Sequence, residues 1–248
     1  MLKQFLLALQ FLTRIPVIVR GTVIEEDMAR SMAWYPLVGL FIGGGAAAVN
    51  VILSYVFTPP VCDLFSIIFL IMITGNMHMD GLMDAADGFF SGKPRDRILE
   101  IMKDSRVGSH GVIAGCIVFA LKLVLLIQLP QEMKVPALIV MPVLGRWSQV
   151  YGAKVYAYAR VGEGTGAFTD HVGWREITWA TLTAGLVVAA LFKFIGIFIA
   201  IPVLLGTLLL FVYVYTKLKG ITGDSLGAVT ECVEVLVLLA LQQLPPIL

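Results

Sequence analysis

Charged residues are scarce in this sequence of 248 residues: Asp, Glu, Lys and Arg make up 14% of it, against about 25% in soluble domains. The formal net charge is only +1 and no long basic run occurs, which argues against nucleic acid as a partner. By contrast, 58% of the residues are hydrophobic and the mean hydropathy is +0.90. Disordered chains have the opposite composition. The sequence therefore predicts a polytopic integral membrane protein with the lipid bilayer as its surroundings.

Cysteine and the common catalytic motifs are also rare or missing. Only Cys62, Cys116 and Cys232 occur, far apart and in apolar stretches, so we expect small buried side chains and neither disulfides nor a zinc site. The sequence contains no G-x-S-x-G, H-E-x-x-H, Walker A or G-x-G-x-x-G motif. These absences argue against a serine nucleophile, a zinc protease and nicotinamide chemistry.

Seven apolar stretches approach the ~20 residues that cross a bilayer. They are residues 32–57, 61–78, 110–129, 135–151, 177–192, 194–216 and 227–244. The first 19 residues are interrupted by Gln4, Gln10 and Arg14, which favours an uncleaved amphipathic helix at the membrane surface. We therefore predict an all-α membrane helix bundle of about seven transmembrane helices plus an N-terminal interfacial helix, forming a single membrane-embedded domain over residues 1–248.

Basic residues are distributed unevenly between the two sides of this arrangement. With the N-terminus inside, fourteen of the eighteen Lys and Arg residues fall in inner segments, and only Lys134 and Lys193 fall in outer turns. The positive-inside rule then predicts a multi-pass protein of the cell (inner) membrane. Most acids lie on the same side, and only Asp63 and Glu132 fall in the outer turns. We therefore expect the active site at the cytoplasmic face.

Three aspartates follow the second predicted span at helical spacing. Asp80, Asp84 and Asp87 lie at i, i+4 and i+7, within about 60° of one another on a helix. Carboxylates on one face repel each other unless a cation lies between them. Such oxygen ligands suit Mg²⁺, which binds through carboxylates together with substrate phosphates. The alternative interpretation is a solvated acidic helix face.

A second cluster follows in the same segment. Arg106 can bind a phosphate through two N–H groups of its planar guanidinium, and Lys103 can add a positive charge. Asp104 can ligate a metal or orient a hydroxyl. Taken alone, this cluster is typical of an ordinary surface turn. Arg160, in a Gly-rich loop, and Arg146, inside a predicted span, are further candidates for binding substrate.

A third group of acids lies near the C-terminus. Asp224 and Glu231 share one helical face, whereas Glu234 lies about 60° to one side. Asp224 has the sequence context of an N-cap. Carboxylates one or two turns into an apolar helix are costly and usually functional. We expect Asp224 and Glu231 to share a site with the three aspartates, and Glu234 to matter less. Together the clusters favour metal-assisted transfer of a diphosphate-bearing substrate.

These motifs resemble the signature of the cobalamin synthase family, also called adenosylcobinamide-GDP ribazoletransferases. The similar segments are HMDGLMDAADG from His78, EIMKDSRVGSHG from Glu100, FLTRIP from Phe11, Gly145-Arg146, Tyr158-Ala159-Arg160 with Gly164 and Gly166, and Thr222-Gly223-Asp224 through Glu234. Two positions depart from the family pattern. Asn76 stands where Gly is expected and Ala85 where Thr is common, and neither change removes a carboxylate.

The resemblance implies the last assembly step of vitamin B12. Adenosylcobinamide-GDP would react with α-ribazole or its 5′-phosphate, releasing GMP, with Mg²⁺ as cofactor. Mg²⁺ would bind Asp80, Asp84 and Asp87, and one of these or Asp104 would accept the hydroxyl proton. Arg106 would act in catalysis with them. Substrate binding would fall to five further residues: Lys103, Arg146, Arg160, Asp224 and Glu231.

The sequence does not fix the oligomeric state, and a homo-oligomer is compatible with it. Two alternative functions also remain at this point. A CDP-alcohol phosphotransferase is also an Asp-rich membrane enzyme, but its pattern needs Ala-Arg where this chain has Asp84-Ala85. A cation transporter would carry its acids near mid-membrane on paired half-helices.

The orientation leads to a labelling prediction. Because Ser91 lies in the basic segment after the second predicted span, Ser91→Cys should react with an impermeant thiol reagent only after cells are opened. The measurement compares intact and permeabilised cells. Labelling of this cysteine in intact cells would reverse the predicted topology.

Overall fold

The computed structural model describes residues 1–160 and 166–244. Within these residues the regular secondary structure is helical, apart from one isolated bridge between Tyr158 and Ile221. Gly162 and Gly164 of the Gly-rich loop lie outside the described residues. The α-helices are α1 (Leu2–Leu12), α2 (Glu25–Ser31), α3 (Tyr35–Leu53), α4 (Pro59–Ile73), α5 (Met77–Phe89), α6 (Arg95–Ile101), α7 (Ser109–Gln128), α8 (Gln131–Val155), α9 (Trp174–Phe192), α10 (Ile197–Leu218) and α11 (Gly223–Gln242).

Helices α8 and α11 form the centre of the bundle. Sixteen of the 25 residues of α8 and fourteen of the 20 residues of α11 are buried. Around them, α7, α9 and α10 expose apolar side chains such as Ile113, Leu186 and Leu209. Cys116, which we expected to be buried, lies on the exposed face of α7. An exposed face of this composition suits contact with lipid, where burial against protein is not required.

Among the described residues, fewer helices than the seven predicted spans are long and apolar enough to cross a membrane. Glu25–Leu53, Ser109–Gln128 and Trp174–Leu218 do, and α4 with α5 adds a fourth only if this bent pair is counted as one span. The 45 residues of the third segment comprise α9 and α10, joined by a 3₁₀ turn at Lys193–Gly196. The fold is therefore that of a helical membrane protein, and the number of seven spans stays a prediction.

The chain bends by 84° between α4 and α5. We predicted a span through His78 followed by a long loop, but α4 ends at Ile73 and the acidic segment is itself a helix, α5. Gly75 and Asn76 both adopt left-handed backbone conformations, with φ of 63° and 66°. This explains why Gly is expected at position 76, and why Asn, which tolerates that conformation best among the other residues, can replace it.

Small residues let α3 lie directly against α8. A Cβ atom on Gly39 would lie 2.6 Å from the carbonyl oxygen of Pro142, and one on Gly43 would lie 2.6 Å from that of Leu138. In the sequence, Gly43 begins a run of three glycines, and a run of small residues is typical of a close helix-packing surface. Close approach of two backbones increases van der Waals contact, which holds helices together in lipid, where the hydrophobic effect does not act between them.

A buried ion pair joins α4 to α8. Lys134 of α8 binds Asp63 of α4, and the Asn50 amide of α3 donates to Asp63 (3.0 Å) and to Ser66 (3.2 Å). We predicted Asp63 and Lys134 in outer turns, but both lie within helices and are at most 4% exposed. Each buried charge therefore has a partner, as an apolar interior requires.

The glycine run offers a matched pair of substitutions. Gly43→Ala should force α3 and α8 apart and cost about 1–3 kcal/mol, because its Cβ meets backbone atoms that cannot turn away. Gly44→Ala should be neutral, since nothing lies within 4 Å of its added Cβ. Thermal unfolding in detergent measures both. Equal midpoints for the two variants would contradict this packing.

Candidate active site

The three aspartates of α5 have different surroundings. Asp80 is exposed, whereas Asp84 and Asp87 are partly buried. Asp87 accepts two backbone hydrogen bonds, from Gly108 N (2.7 Å) and Gly111 N (2.8 Å). These N–H groups belong to the start of α7, which would otherwise lack acceptors. Asp87 thus fixes α7 against α5, and both of its oxygens have partners that the sequence did not predict.

Glycines make this contact possible. A Cβ on Gly111 would lie 2.5 Å from a carboxylate oxygen of Asp87, and one on Gly108 would be closer still. The two glycines of the EIMKDSRVGSHG segment are therefore explained by the approach of the Asp87 side chain. Ala85, where the family pattern favours Thr, is a buried residue of the same helix.

Asp224 lies beside this acidic helix. The start of α11 packs so closely on α5 that a Cβ on Gly81 would lie 2.9 Å from the Cα of Asp224. Arg160 donates to the Asp224 carboxylate at 3.2 Å. Our N-cap assignment was wrong by two residues: Thr222 caps α11 in a reciprocal pair with Ser225. This cap frees the Asp224 carboxylate to face Arg160 and the aspartates.

The electrostatics of the cluster reflect this crowding. Asp84 lies on α5, beyond the second predicted span, and burial, reinforced by the charges of Asp80, Asp224 and Asp87, raises its pKa to about 7. Burial also raises the pKa of Asp224, and Arg160 opposes that shift. A cation between these carboxylates would relieve the repulsion.

The donor set suits a magnesium ion whose coordination is shared with substrate. Within the described residues, no three His, Cys, Asp or Glu side chains are grouped closely enough to hold a metal by themselves. Mg²⁺, however, usually takes one or two carboxylates and completes its shell with water and phosphate oxygens. Asp80 and Asp84 fit that role, while the Asp87 oxygens are already engaged with α7.

The KDSR segment forms an exposed turn. The backbone N–H of Arg106 donates to Asp104 at 3.0 Å, and the Arg106 side chain is 91% exposed, 3.9 Å from the same carboxylate. Lys103 is also exposed. The turn directly precedes Gly108, so the contact of Gly108 with Asp87 keeps it close to α5. The Arg106 guanidinium is therefore open to solvent beside the acidic helix.

A network of buried charges joins α7, α8 and α11 next to the acidic helix α5. Lys122 of α7 binds Glu231 (2.6 Å) and Glu234 of α11, and Arg146 of α8 also binds Glu234. All four side chains are at most 9% exposed. Arg146 further approaches His78 Nδ1 at 3.5 Å, which connects the network to α5. Arg146 therefore faces the interior, and its contacts are those of a residue that positions others.

The network changes the ranking of the two glutamates. We expected Glu231 to belong with the aspartates and Glu234 to matter less, but Glu234 binds two cations and Glu231 binds one of them. Neither makes a direct contact with Asp84 among those that the described residues show. Lys122, which lies within the third predicted span, is buried.

Two substitutions test this ranking. Glu234→Gln should destabilise the protein by about 3–5 kcal/mol, because it leaves Lys122 and Arg146 short of negative charge in a dry interior. Glu231→Gln should cost less, since Lys122 keeps Glu234. Chemical unfolding of both variants in the same detergent gives the comparison. A larger loss for Glu231→Gln would mean that the network is arranged differently.

A cavity of about 210 Å³ opens beside Asp80 and Asp224. His78, Gln149 and several aromatic side chains also line it. A larger groove of about 480 Å³ runs between α9 and α10, but its lining is nearly all apolar and contains no carboxylate. Of these two cavities in the described part of the chain, the smaller one contains the acids of the site.

Comparison with known proteins decides the family. A family model described as cobalamin-5-phosphate synthase matches residues 4–242. The chain belongs to this family. Adenosylcobinamide-GDP ribazoletransferases from Clostridium acetobutylicum and Desulforamulus reducens are 37% and 38% identical to it. These alignments cover 92% and 94% of this chain, and 91% and 94% of the relatives. No solved structure matches.

Membership of the cobalamin-5-phosphate synthase family confirms the resemblance seen in the sequence. The protein is an enzyme, a transferase of cobalamin biosynthesis, and its exposed apolar helices agree with a membrane protein. The matched range includes the three aspartates of α5 and all the candidate site residues from Lys103 to Glu234.

Sequence reasoning missed two parts of this site. His78 is not among the site residues that the sequence predicts, although it stands two residues before Asp80 and lines the cavity. The pairing of Lys122 with Glu234 was also missed. A signal existed: a lone cation in one apolar helix and acids in another are expected to find each other, because neither is stable alone in the membrane.

Proposed function

We propose that this enzyme transfers the adenosylcobinamide phosphate group from adenosylcobinamide-GDP to α-ribazole or α-ribazole 5′-phosphate, with Mg²⁺ as cofactor. The names of the relatives supply the donor and the ribazole acceptor. The observation that carries the proposal is the crowding of Asp80, Asp84 and Asp224 beside a cavity. Such crowding is what a cation and a diphosphate would relieve.

The reaction is a displacement at phosphorus. The ribazole hydroxyl attacks the phosphorus nearer the corrinoid arm, a new P–O bond forms, and the bond to GMP breaks. The hydroxyl proton passes to a carboxylate, for which Asp80 and Asp224 are placed at the edge of the cavity. When bound, Mg²⁺ would neutralise charge on the diphosphate oxygens.

The chain's own residues would divide the remaining work. Asp80 and Asp84 would hold the metal, and Asp87 would keep α7 and the adjoining KDSR turn in position. Arg160 holds Asp224 at 3.2 Å and is well placed to offset phosphate charge, as are Arg106 and Lys103 from the exposed turn. Asp104 orients this turn through Arg106. Arg146 and Glu231 would act from below, by supporting His78 and α11.

We further propose an inner-membrane location with the site facing the cytoplasm. Arg95 of α6 donates to the carbonyl oxygens of Leu218 and Ala159, both at 2.6 Å, and Lys217 donates to Phe89 O. These contacts gather the basic connecting segments at one end of the bundle, together with the acidic site. The excess of Lys and Arg at that end supports a cytoplasmic orientation.

The proposal predicts that Asp84→Asn abolishes GMP release. The amide keeps the shape of the side chain but loses the charge that a metal needs, so we expect at least a hundredfold loss of kcat. Asp96→Asn, at an exposed aspartate of α6 that pairs with its neighbour Arg95, is the matched control and should retain activity. The assay follows GMP released by detergent-purified enzyme supplied with both substrates and Mg²⁺.

Magnesium binding has a readout that needs no turnover. Adding Mg²⁺ should raise the thermal midpoint of the wild type, because a ligand of the folded state stabilises it, and Asp84→Asn should abolish that rise. Near-normal transfer by Asp84→Asn at saturating Mg²⁺ would remove this carboxylate from the mechanism.

A further inference from the structure

An aromatic wall lines the cavity beside Asp80 and Asp224. Phe11 stacks on Tyr35, with ring centroids 6.3 Å apart and an interplanar angle of 18°, and Phe168 meets Phe11 edge-on at 5.8 Å. All three rings line the cavity. Tyr35 is completely buried, which holds the wall in place. Rigid aromatic walls of this kind bind the flat face of another ring.

His78 adds one directed polar group to the same cavity. It is 3% exposed, and its Nδ1 faces a guanidinium nitrogen of Arg146. Because a guanidinium can only donate, Nδ1 accepts, and the ring proton lies on Nε2. This Nε2 is buried without a hydrogen-bond partner among the described residues. His78 lines the cavity, whereas Arg146, which Nδ1 approaches, does not, and Nε2 lies across the ring from Nδ1.

The size of the cavity limits what can occupy it. An internal cavity of about 150 Å³ accommodates benzene. At about 210 Å³, this cavity has room for one bicyclic base and none for a corrin ring. The occupant must also present an acceptor to the orphan donor of His78, since a buried donor without an acceptor is costly.

We propose that this cavity holds the base of the ribazole acceptor, with His78 Nε2 donating to the free ring nitrogen of its benzimidazole. This assignment rests on the proposed function, because it names the subsite of one of its substrates. The base is apolar and bicyclic and carries a single acceptor nitrogen. This suits an aromatic wall on which His78 Nε2 and the Tyr35 hydroxyl are the side-chain donors without a partner among the described residues. Its sugar hydroxyl then leaves the cavity where Asp80 and Asp224 lie.

The guanine of the donor substrate fits less well. Guanine presents two adjacent donor groups at its Watson–Crick edge, and these would need carboxylate or carbonyl acceptors inside the cavity. Taking Asp80 or Asp224 for that purpose would withdraw a carboxylate from the reacting phosphate. The Gln149 amide is held by Thr230 and the Thr169 hydroxyl by the carbonyl of Gly166, and the lining from Met32, Met77 and Leu226 is apolar.

Binding of α-ribazole alone tests this assignment. α-Ribazole is titrated calorimetrically into the purified full chain, without Mg²⁺ or corrinoid. His78→Leu and Phe168→Leu should each weaken binding about tenfold, as expected when a buried hydrogen bond or an aromatic contact is lost. His78→Gln, whose amide can donate from nearly the same place, should recover most of the affinity. His110→Leu, an exposed histidine of α7, is the matched control.

The outcomes separate the two proposals. Unchanged α-ribazole affinity in Phe168→Leu and His78→Leu, or no binding to the wild type, would overturn the assignment; Phe168→Leu decides if the other variant does not fold. A raised KM for adenosylcobinamide-GDP with unchanged α-ribazole affinity would place the donor in the cavity instead, and overturn it too. If the wild type binds α-ribazole as expected but releases no GMP from both substrates with Mg²⁺, the proposed function fails and the cavity assignment stands.

Discussion

Charge neutralisation in an apolar interior is the constraint on which this structure depends. Lys122 and Arg146 enter the bundle from two helices, and Glu231 and Glu234 meet them from a third. None of these groups is stable there alone, because an unpaired charge in a dry medium is far costlier than a lost apolar contact. Helices α7, α8 and α11 therefore have one register in which each of these four charges is paired. A second pair, Asp63 with Lys134, fixes α4 against α8 at the other end.

The active site is built on this fixed base. His78 reaches the network through Arg146, and Asp224 begins the helix that carries both glutamates. The carboxylates that repel one another are thus held by elements that cannot easily separate. Repulsion that would push a flexible loop apart is instead retained at the site, where it helps to raise the pKa of Asp84, and a bound cation would relieve it. In contrast, the KDSR turn is exposed and carries its basic groups outward.

The sequence predicted the kind of fold and most of the residues around the acidic cluster, because helical spacing and hydropathy are local properties. Asp80, Asp84 and Asp87 do share a helix, and Asp224 does lie beside them. Contacts between distant segments were beyond such reasoning. The partners of Asp87 lie 21 and 24 residues away, and Lys122 finds Glu234 across 112 residues. Hydropathy alone could not distinguish Lys134 in an outer turn from Lys134 in a buried pair, since either position is compatible with a short helix.

The bend between α4 and α5 has a consequence for the order in which the protein is assembled. The backbone N–H of Arg14 donates to Ile73 O at 2.7 Å, and its guanidinium occupies the space over Gly75. This contact can thus form only after some sixty further residues have been made, whereas α1 itself packs on α2 and α3, which are made earlier. The arrival of Ile73 beside Arg14 then fixes the left-handed turn from which α5, with all of its aspartates, departs.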